Sequence, residues 1–589
     1  MIHILPAEIM QRIGERLAYL YGEDLKPRLL ERIALFAGRY GLDTCPEGAC
    51  EGPLWDQTDA ILITYGDMVR REGEAPLAVL HRFLDAHLQD AISGVHVLPF
   101  FPYSSDDGFS VIDFRQVDPA LGDWDQIRAL GKRYRLMVDL VLNHCSRESA
   151  WFRNYTNGIA PERDYFIEVD PDEASGLDQV VRPRSLPLLT PTQTAYGERH
   201  LWTTFSSDQI DLNYANQDVL FEILDILLLY IYKGARIVRL DAIAYLWKEL
   251  GTPCIHLPQT HQVVKLMRDL LEMLAPGVIL LTETNVPHAE NIAYFGDGDE
   301  ARMVYQFSLP PLLLHALHTG NARYLHQWAA ELAPPPPGCT WFNFTASHDG
   351  IGVRPLEGLI PPEELDALVT AVERRGGRVS TRTDASGREV PYELNITYFD
   401  ALSDPGQAES ERHIARFLCS QAIMLGLQGI PGIYFNSLVG GRNNQVGFRH
   451  TGRPRTLNRQ KWDEAQLTQR LADTTGAGGR VFKQYRHLLQ LRRAHSAFHP
   501  DAPQQVLDLD EALFGFVRTA PDGGERLIAL HNLSDRPQDL DLASRYPDFA
   551  GPVWCELIQG QRLQGDAGAR LHLAPYQTLW LTTATEPDA

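Results

Sequence analysis

Eight short apolar runs, helix-compatible intervals between most of them, and polar clusters at four of their C-terminal ends predict an α/β fold. The predicted architecture is a (β/α)8, or TIM, barrel with two inserted loop subdomains and a C-terminal antiparallel β domain. The runs are Ile61–Asp67, Val95–Phe100, Leu136–His144, Ala235–Ala242, Val278–Thr284, Met303–Ser308, Thr340–Asp349 and Gly429–Phe435. They are apolar at consecutive rather than alternate positions, which suits strands covered on both faces of a parallel sheet. Most intervals are about 25–45 residues long, the length of a βα unit. A doubly wound open sheet would also supply eight such units, but it gives polar groups no reason to gather at the strand ends.

Residues 1–55 read as a mainly helical extension outside the barrel, with no strand signal. The opening MIHILPAEIMQRIGERL lacks the order of basic start, apolar core and small-residue cleavage site that marks a secretory leader. Barrel units occupy 56–144, 208–349 and 404–500. The intervals after the third and seventh runs are too long for one helix, so 145–207 and 350–403 are expected to be insertions. Both fall at the C-terminal strand ends, where such a barrel keeps its active-site loops. Val219–Tyr232 is the longest apolar helix candidate, but it carries Glu222 and Asp225 and falls short of the roughly 20 apolar residues of a membrane span. Pro334–Pro337 reads as a stiff loop before the seventh run. From 501 to 589 the pattern changes to alternating segments such as LFGFVRTA, ERLIALHNLS and QTLWLTTA, which predict a small antiparallel β domain.

The 589 residues are 44% hydrophobic and 22% charged, an ordinary globular composition. A formal net charge of −22 repels phosphate backbones and anionic lipid, so nucleic-acid and membrane-surface binding are not expected. The seven cysteines, at Cys45, Cys50, Cys145, Cys254, Cys339, Cys419 and Cys555, form no CxxC pair and suit buried thiols in a reducing cytoplasm. Composition is compatible with a homodimer and does not decide it.

The chemistry concentrates at strand ends. The third run ends in Asp139-Leu-Val-Leu-Asn143-His144, the fourth in Arg239-Leu240-Asp241, the fifth in Thr282-Glu283-Thr284 and the seventh in Ser347-His348-Asp349. A lone Asp at a strand end is ordinarily a helix cap, and a lone His a satisfied core residue. Four such ends in one barrel instead predict a cavity mouth bringing together Asp241, Glu283, Asp349, His144, His348 and Arg239. Arg239 and Asp241, two residues apart, share a strand face, so the guanidinium would keep the carboxylate ionised.

The set DLVLNH, ARIVRLDAIAY, LLTETN and FTASHDG resembles the four signature regions of the α-amylase family, glycoside hydrolase family 13. VHVLPFFPYSSDDGFSVIDF, VRPRSLP, FSLPPLLLHAL, SHDGIGV and PRTLNRQ narrow the resemblance to its sucrose-phosphorylase branch, over roughly Ile61 to Leu491. The resemblance implies that Asp241 is the nucleophile, Glu283 the general acid/base and Asp349 the third carboxylate of a retaining double displacement. It implies that His144, His348, Arg239 and Tyr245 serve the bound glucosyl ring, and that Asp106 and Arg455 close its far side. Arg184 and Tyr392 match the branch's phosphate-binding pair.

The acceptor side departs from the sucrose pattern. Val181, Val390 and Glu393 stand where sucrose-specific members carry Tyr, Asp and Gln, so two of three hydroxyl-binding groups are apolar. LWKELGTPCIHLPQTH, PYELNITYFDALS and the helical extension look most like glucosylglycerate phosphorylases. Such an acceptor is anionic, and Arg184, Arg182, Arg449 and Arg453 are the candidate cations; Glu393 then needs a hydroxyl or an arginine partner. Alternatives are a sucrose, glucosylglycerol or sucrose 6'-phosphate phosphorylase, an α-glucosidase, and a catalytically inert sugar-binding barrel, against which the intact carboxylate trio argues. Asn143 occupies a calcium-ligating position of many amylases, but the branch generally lacks the ion, so no metal or cofactor is expected.

Overall fold

The computed structural model describes residues 6–40, 53–172, 174–384, 387–406, 409–549, 554–563 and 570–583. Eight parallel strands close a barrel: β1 (Ile61–Thr64), β2 (Gly94–Val97), β3 (Arg135–Leu140), β4 (Ala235–Leu240), β5 (Ile279–Thr282), β6 (Met303–Tyr305), β7 (Thr340–Phe344) and β8 (Ile430–Tyr434). Each pairs with the next in the chain, and β8 returns to β1. Every expected run supplies one strand, and burial on both faces explains why these runs do not alternate.

All eight strands end before the runs that predict them, and two fall furthest short. The barrel layer of β3 stops at Leu140, and His144–Ser146 turns away to pair antiparallel with Gln209–Asp211. That turn satisfies the polar end of the run: Leu212 N–H donates to Asn143 O over 2.9 Å, and the Tyr214 hydroxyl to Leu142 O over 2.7 Å. β7 likewise stops at Phe344, leaving Ser347, His348 and Asp349 on a loop at the barrel mouth.

The two long intervals carry small sheets of their own. After β3, Leu189–Thr194 pairs with Gly197–Trp202. After β7, Ile351–Gly352, Glu389–Asn395 and Arg378–Thr383 form a three-stranded antiparallel sheet. Beyond the barrel, Gln504–Val506, Leu513–Thr519, Arg526–Asn532, Thr578–Thr583, Trp554–Glu556 and Gln561–Leu563 make a six-stranded antiparallel sheet. It has its own apolar layer, including Ile528, Trp554 and Leu581.

At the other end of the chain, α1 (Ala7–Tyr21) and α2 (Lys26–Tyr40) lie against two barrel helices, α3 (Gln217–Tyr232) and α4 (Pro258–Leu274). Leu29, Ile33 and Phe36 of α2 are buried at helical spacing, and the Phe36 ring stacks on Phe221 at 5.8 Å. α3 starts at an Asn216 cap, whose side chain accepts from Asp218 N–H, and it buries Asp225 as well as its apolar residues. Among the described residues, no helix is long and apolar enough to cross a membrane. Cys145, Cys254, Cys339 and Cys419 are buried free thiols and Cys555 is half-buried; Cys45 and Cys50 lie outside the described residues.

Candidate active site

Sheet register builds the floor of the site. Asp139 in β3 stands beside Arg239 in β4, and Arg239 beside Leu281 in β5. The first residues past β4 and β5 are Asp241 and Glu283, tied to neighbouring strands by Asp241 N–H to Leu140 O (3.2 Å) and Glu283 N–H to Leu240 O (3.3 Å). Ala242 then adopts φ 53°, a left-handed conformation unfavourable for a residue with a side chain, and its N–H donates to Glu283 Oε2 over 3.0 Å. The sharp turn therefore helps to fix the second carboxylate beside the first.

Arg239 lies beneath the mouth rather than on its wall. It is 2% exposed and does not line the cavity, which differs from the expected contact with the sugar. Its Nη1 donates to Asp139 Oδ1 at 2.6 Å and to Asp241 Oδ1 at 2.7 Å, while Nη2 is 3.8 Å from Glu283 Oε2. Three carboxylates thus occupy the guanidinium. Asp139 is itself held by His96 Nε2 at 2.6 Å.

Above this floor opens a cavity of about 780 Å³. Asp241, Glu283, Asp349, Asp106, His144, His348, Tyr245, Arg184, Tyr392, Glu393 and Arg455 all line it. Asp349 Oδ1 is 2.7 Å from Arg455 Nη1, and the same nitrogen is 3.6 Å from Asp106 Oδ2. Arg455 also donates to both oxygens of Glu393, at 2.9 Å each. Arg184 Nη1 stands 3.5 Å from Glu393 Oε2, with its guanidinium 5.4 Å from the Tyr392 ring centre. The arginine partner that Glu393 requires is therefore Arg455, with Arg184 at longer range.

Burial sets the proton affinities of the floor. It pushes Glu283 up to about 7, with the charges of Asp241 and Asp349 adding to the effect and Arg239 opposing it. It pushes Asp241 up to about 6, again against Arg239 and with Asp139 adding. Asp349 stays below the ordinary carboxylate range, because Arg455, Arg239 and Arg459 outweigh its burial. Burial lowers both His144 and His348, which keeps these imidazoles neutral near pH 7. His348 stacks on Phe109 at 4.6 Å, with its Nδ1 unpartnered among the described residues. His144 is more fully engaged: Nε2 meets Phe109 O at 2.9 Å, and Nδ1 lies 3.3 Å from Asn143 Nδ2.

Other expected positions fall outside the cavity. Val181, Val390, Arg182 and Arg449 do not line it, whereas Arg453 does. Asn143 Oδ1 accepts from Lys248 Nζ at 2.6 Å, and that ammonium lies 2.7 Å from Asp211 Oδ2, filling the oxygen pair a cation would need.

Sequence reasoning missed Arg459 and Asp107. Arg459 Nη1 lies 2.7 Å from Asp107 Oδ2 and 3.3 Å from Asp106 Oδ1, and Nε donates to His348 O over 2.8 Å. The signal was present: Arg459 follows Arg455 by one helical turn, and Asp107 is adjacent to Asp106.

Comparison with known proteins identifies the family. The alpha-amylase catalytic domain family matches residues 88–331, and the maltogenic amylase C-terminal domain family matches residues 504–580. The chain is 47% identical to the glucosylglycerate phosphorylase of Allomeiothermus silvanus, over 98% of this chain and 99% of that one. It is 44% identical to the Escherichia coli glucosylglycerate phosphorylase, covering 90% and 92% of the two chains. The sucrose phosphorylase of Agrobacterium vitis is more distant, at 32% over 74% and 88%. Among solved structures, the sucrose 6F-phosphate phosphorylase of Thermoanaerobacter thermosaccharolyticum superposes with a TM-score of 0.70 at 25% identity, over 81% of this chain and 94% of that one. Similarity at this level over nearly the whole length means that the chain belongs to the α-amylase family, in the branch of the glucosylglycerate and sucrose phosphorylases.

Proposed function

We propose that the protein is a retaining glycoside phosphorylase transferring the α-glucosyl unit of 2-O-α-D-glucosyl-D-glycerate to inorganic phosphate, giving α-D-glucose 1-phosphate and D-glycerate. What carries the reading is identity of 44–47% to three glucosylglycerate phosphorylases over 90–98% of this chain, against 28–32% for the sucrose phosphorylases. The cavity chemistry supports the same conclusion.

In the first displacement an Asp241 oxygen attacks the anomeric carbon and the bond to glycerate breaks. Glu283 gives its proton to the departing glycerate oxygen, leaving a β-glucosyl ester on Asp241. A phosphate oxygen then attacks the same carbon, the Asp241 carboxylate departs, and two inversions restore the α configuration. Phosphate is already a competent nucleophile; it requires cations and hydrogen bonds, for which Arg184 and Tyr392 are suited. Asp349 and His348 hold sugar hydroxyls, and Tyr245 walls the ring. Asp106 and Arg455 close the far side, so that one terminal glucosyl unit fits. Arg453 lines the cavity without an ion-pair partner among the described residues, and we assign it to the glycerate carboxylate. Among the described residues the five cysteines are free thiols, which suits a reducing cytoplasm as the site of the reaction.

The test is phosphate release from α-glucose 1-phosphate with D-glycerate, glycerol or fructose as acceptor. D-Glycerate should give the fastest release, and Asp241→Asn should abolish it with every acceptor. Faster release with fructose or glycerol would overturn the substrate while leaving the class; unchanged turnover in Asp241→Asn would overturn the nucleophile.

A further inference from the structure

Glu393 looks from sequence like an acceptor-side residue, but its surroundings have a different logic. It is 2% exposed, and both of its oxygens are engaged by Arg455, with Nε to Oε1 and Nη2 to Oε2 at 2.9 Å. Oε1 also accepts the Gly350 N–H over 2.6 Å, in the residue that follows Asp349. A Cβ on Gly350 would sit 2.6 Å from Glu393 Cγ, so the backbone at 350 is side-chain-free where this carboxylate passes. Burial alone would push the acid up, but Arg455 and Arg184 outweigh it and hold Glu393 down to about 2.

A two-pronged carboxylate–guanidinium pair fixes the guanidinium plane as well as its position. With Nε and Nη2 committed to Glu393, Arg455 is left with Nη1, and that nitrogen meets Asp349 at 2.7 Å. A residue of the inserted sheet, in the strand paired with Ile351–Gly352, thereby sets the orientation of a carboxylate at the glucosyl pocket.

We propose that Glu393 is a positioning residue for glucosyl transfer, locking Arg455 so that its third nitrogen holds Asp349, rather than a contact that recognises the acceptor. This rests on the reading of Asp349 as a glucosyl-binding carboxylate. The consequence is that Glu393 matters equally for every acceptor, including water.

α-Glucosyl fluoride separates the two roles, since its leaving group is neither glycerate nor phosphate and water accepts the glucosyl unit. Glu393→Gln should lower kcat/KM for fluoride release by about tenfold or more, while the ratio of kcat/KM for D-glycerate to that for glycerol in synthesis stays within about threefold. Glu393→Asp keeps the charge on a shorter arm and should lose less. In an Arg455→Gln background the Glu393→Gln change should cost under about threefold, because the chain it acts through is already cut. Normal fluoride release with a shifted acceptor ratio would overturn the proposal, as would losses that simply multiply in the double variant. If Glu393→Gln fails to fold, the same comparison is made on Glu393→Asp, where unchanged fluoride release would also overturn it. A wild type that releases fluoride but ignores D-glycerate would refute the substrate and leave this inference standing.

Discussion

Asp241 and Glu283 share one guanidinium unequally: Asp241 is hydrogen-bonded to Arg239 at 2.7 Å, while Glu283 is 3.8 Å from it. Burial places the first carboxyl at about 6 and the second at about 7, with Arg239 opposing it at both and also through its hydrogen bond at Asp241. As the proposed nucleophile, Asp241 must have lost its proton, which happens as pH rises through about 6; as the proposed acid, Glu283 must have kept its own, which fails as pH rises through about 7. The kcat/KM for the glucosyl donor reports the first displacement alone and is independent of the phosphate that follows. It should therefore trace a narrow bell with its maximum between those two values, checked by donor kinetics across the pH range; a profile flat through neutrality would contradict the assignment. The carboxylate trio was legible from sequence, because each member ends an apolar run. Arg239 was legible as a neighbour of Asp241, but not as a group sealed under the floor, since that depends on Asp139 lying abreast of it in the next strand. Arg459 and Asp107 stayed hidden for a similar reason: their pairing joins residues 352 positions apart.

The elements themselves follow from periodicity. Strands covered on both faces leave continuous apolar runs, so all eight could be found, while their ends could not, because a polar strand end reads the same whether it continues or turns into an insertion. The helical extension shows what periodicity leaves out. Its apolar stripes announce a buried face, but the partner is chosen by charge. Arg12 meets Asp269 of α4 at 2.7 Å, and Arg32 and Arg39 meet Asp218 and Asp225 of α3 at 2.7 Å each. Asp225 is the centre of this seam, since the Tyr40 hydroxyl donates to it at 2.7 Å and Arg115 reaches it at 2.9 Å. Both arginines at Asp225 are partly exposed, so solvent screening limits their worth. Asp225→Ala should destabilise the protein by about 1–3 kcal/mol, chiefly through the half-buried Tyr40 hydrogen bond lost, and leave kcat unchanged. Thermal unfolding with parallel kinetics checks it; a loss of kcat at full stability would mean that the extension acts on the site.

At the scale of the whole molecule, two buried arginines bond to carbonyls rather than carboxylates at the barrel bottom, and one of them, Arg518, joins the C-terminal sheet to it. Arg492 donates to Leu425 O and Gly429 O, on either side of the turn into β8, and to Gln57 O and Asp59 O ahead of β1. Arg518, inside the sheet strand Leu513–Thr519, donates to Gly426 O at 2.8 Å and to His499 O and Ala502 O at 2.7 and 3.1 Å. Neither is foreseeable: nothing in LFGFVRT marks its arginine as buried, whereas here it is wholly so. Its ligands are the last carbonyls of a barrel helix and the linker, which lie at the end remote from the catalytic mouth. The contact thus ties the sheet to the barrel bottom without touching the cavity. Replacing Arg518 by Met would keep much of its volume but leave Gly426 O and Ala502 O without a donor, while His499 O keeps the Ala502 N–H, a loss of roughly 2–4 kcal/mol. Thermal unfolding of Arg518→Met should show the midpoint falling by several degrees, with the sheet melting before the barrel, while phosphate release below that transition matches the wild type. A single unshifted transition would mean that apolar packing, not this arginine, carries the junction.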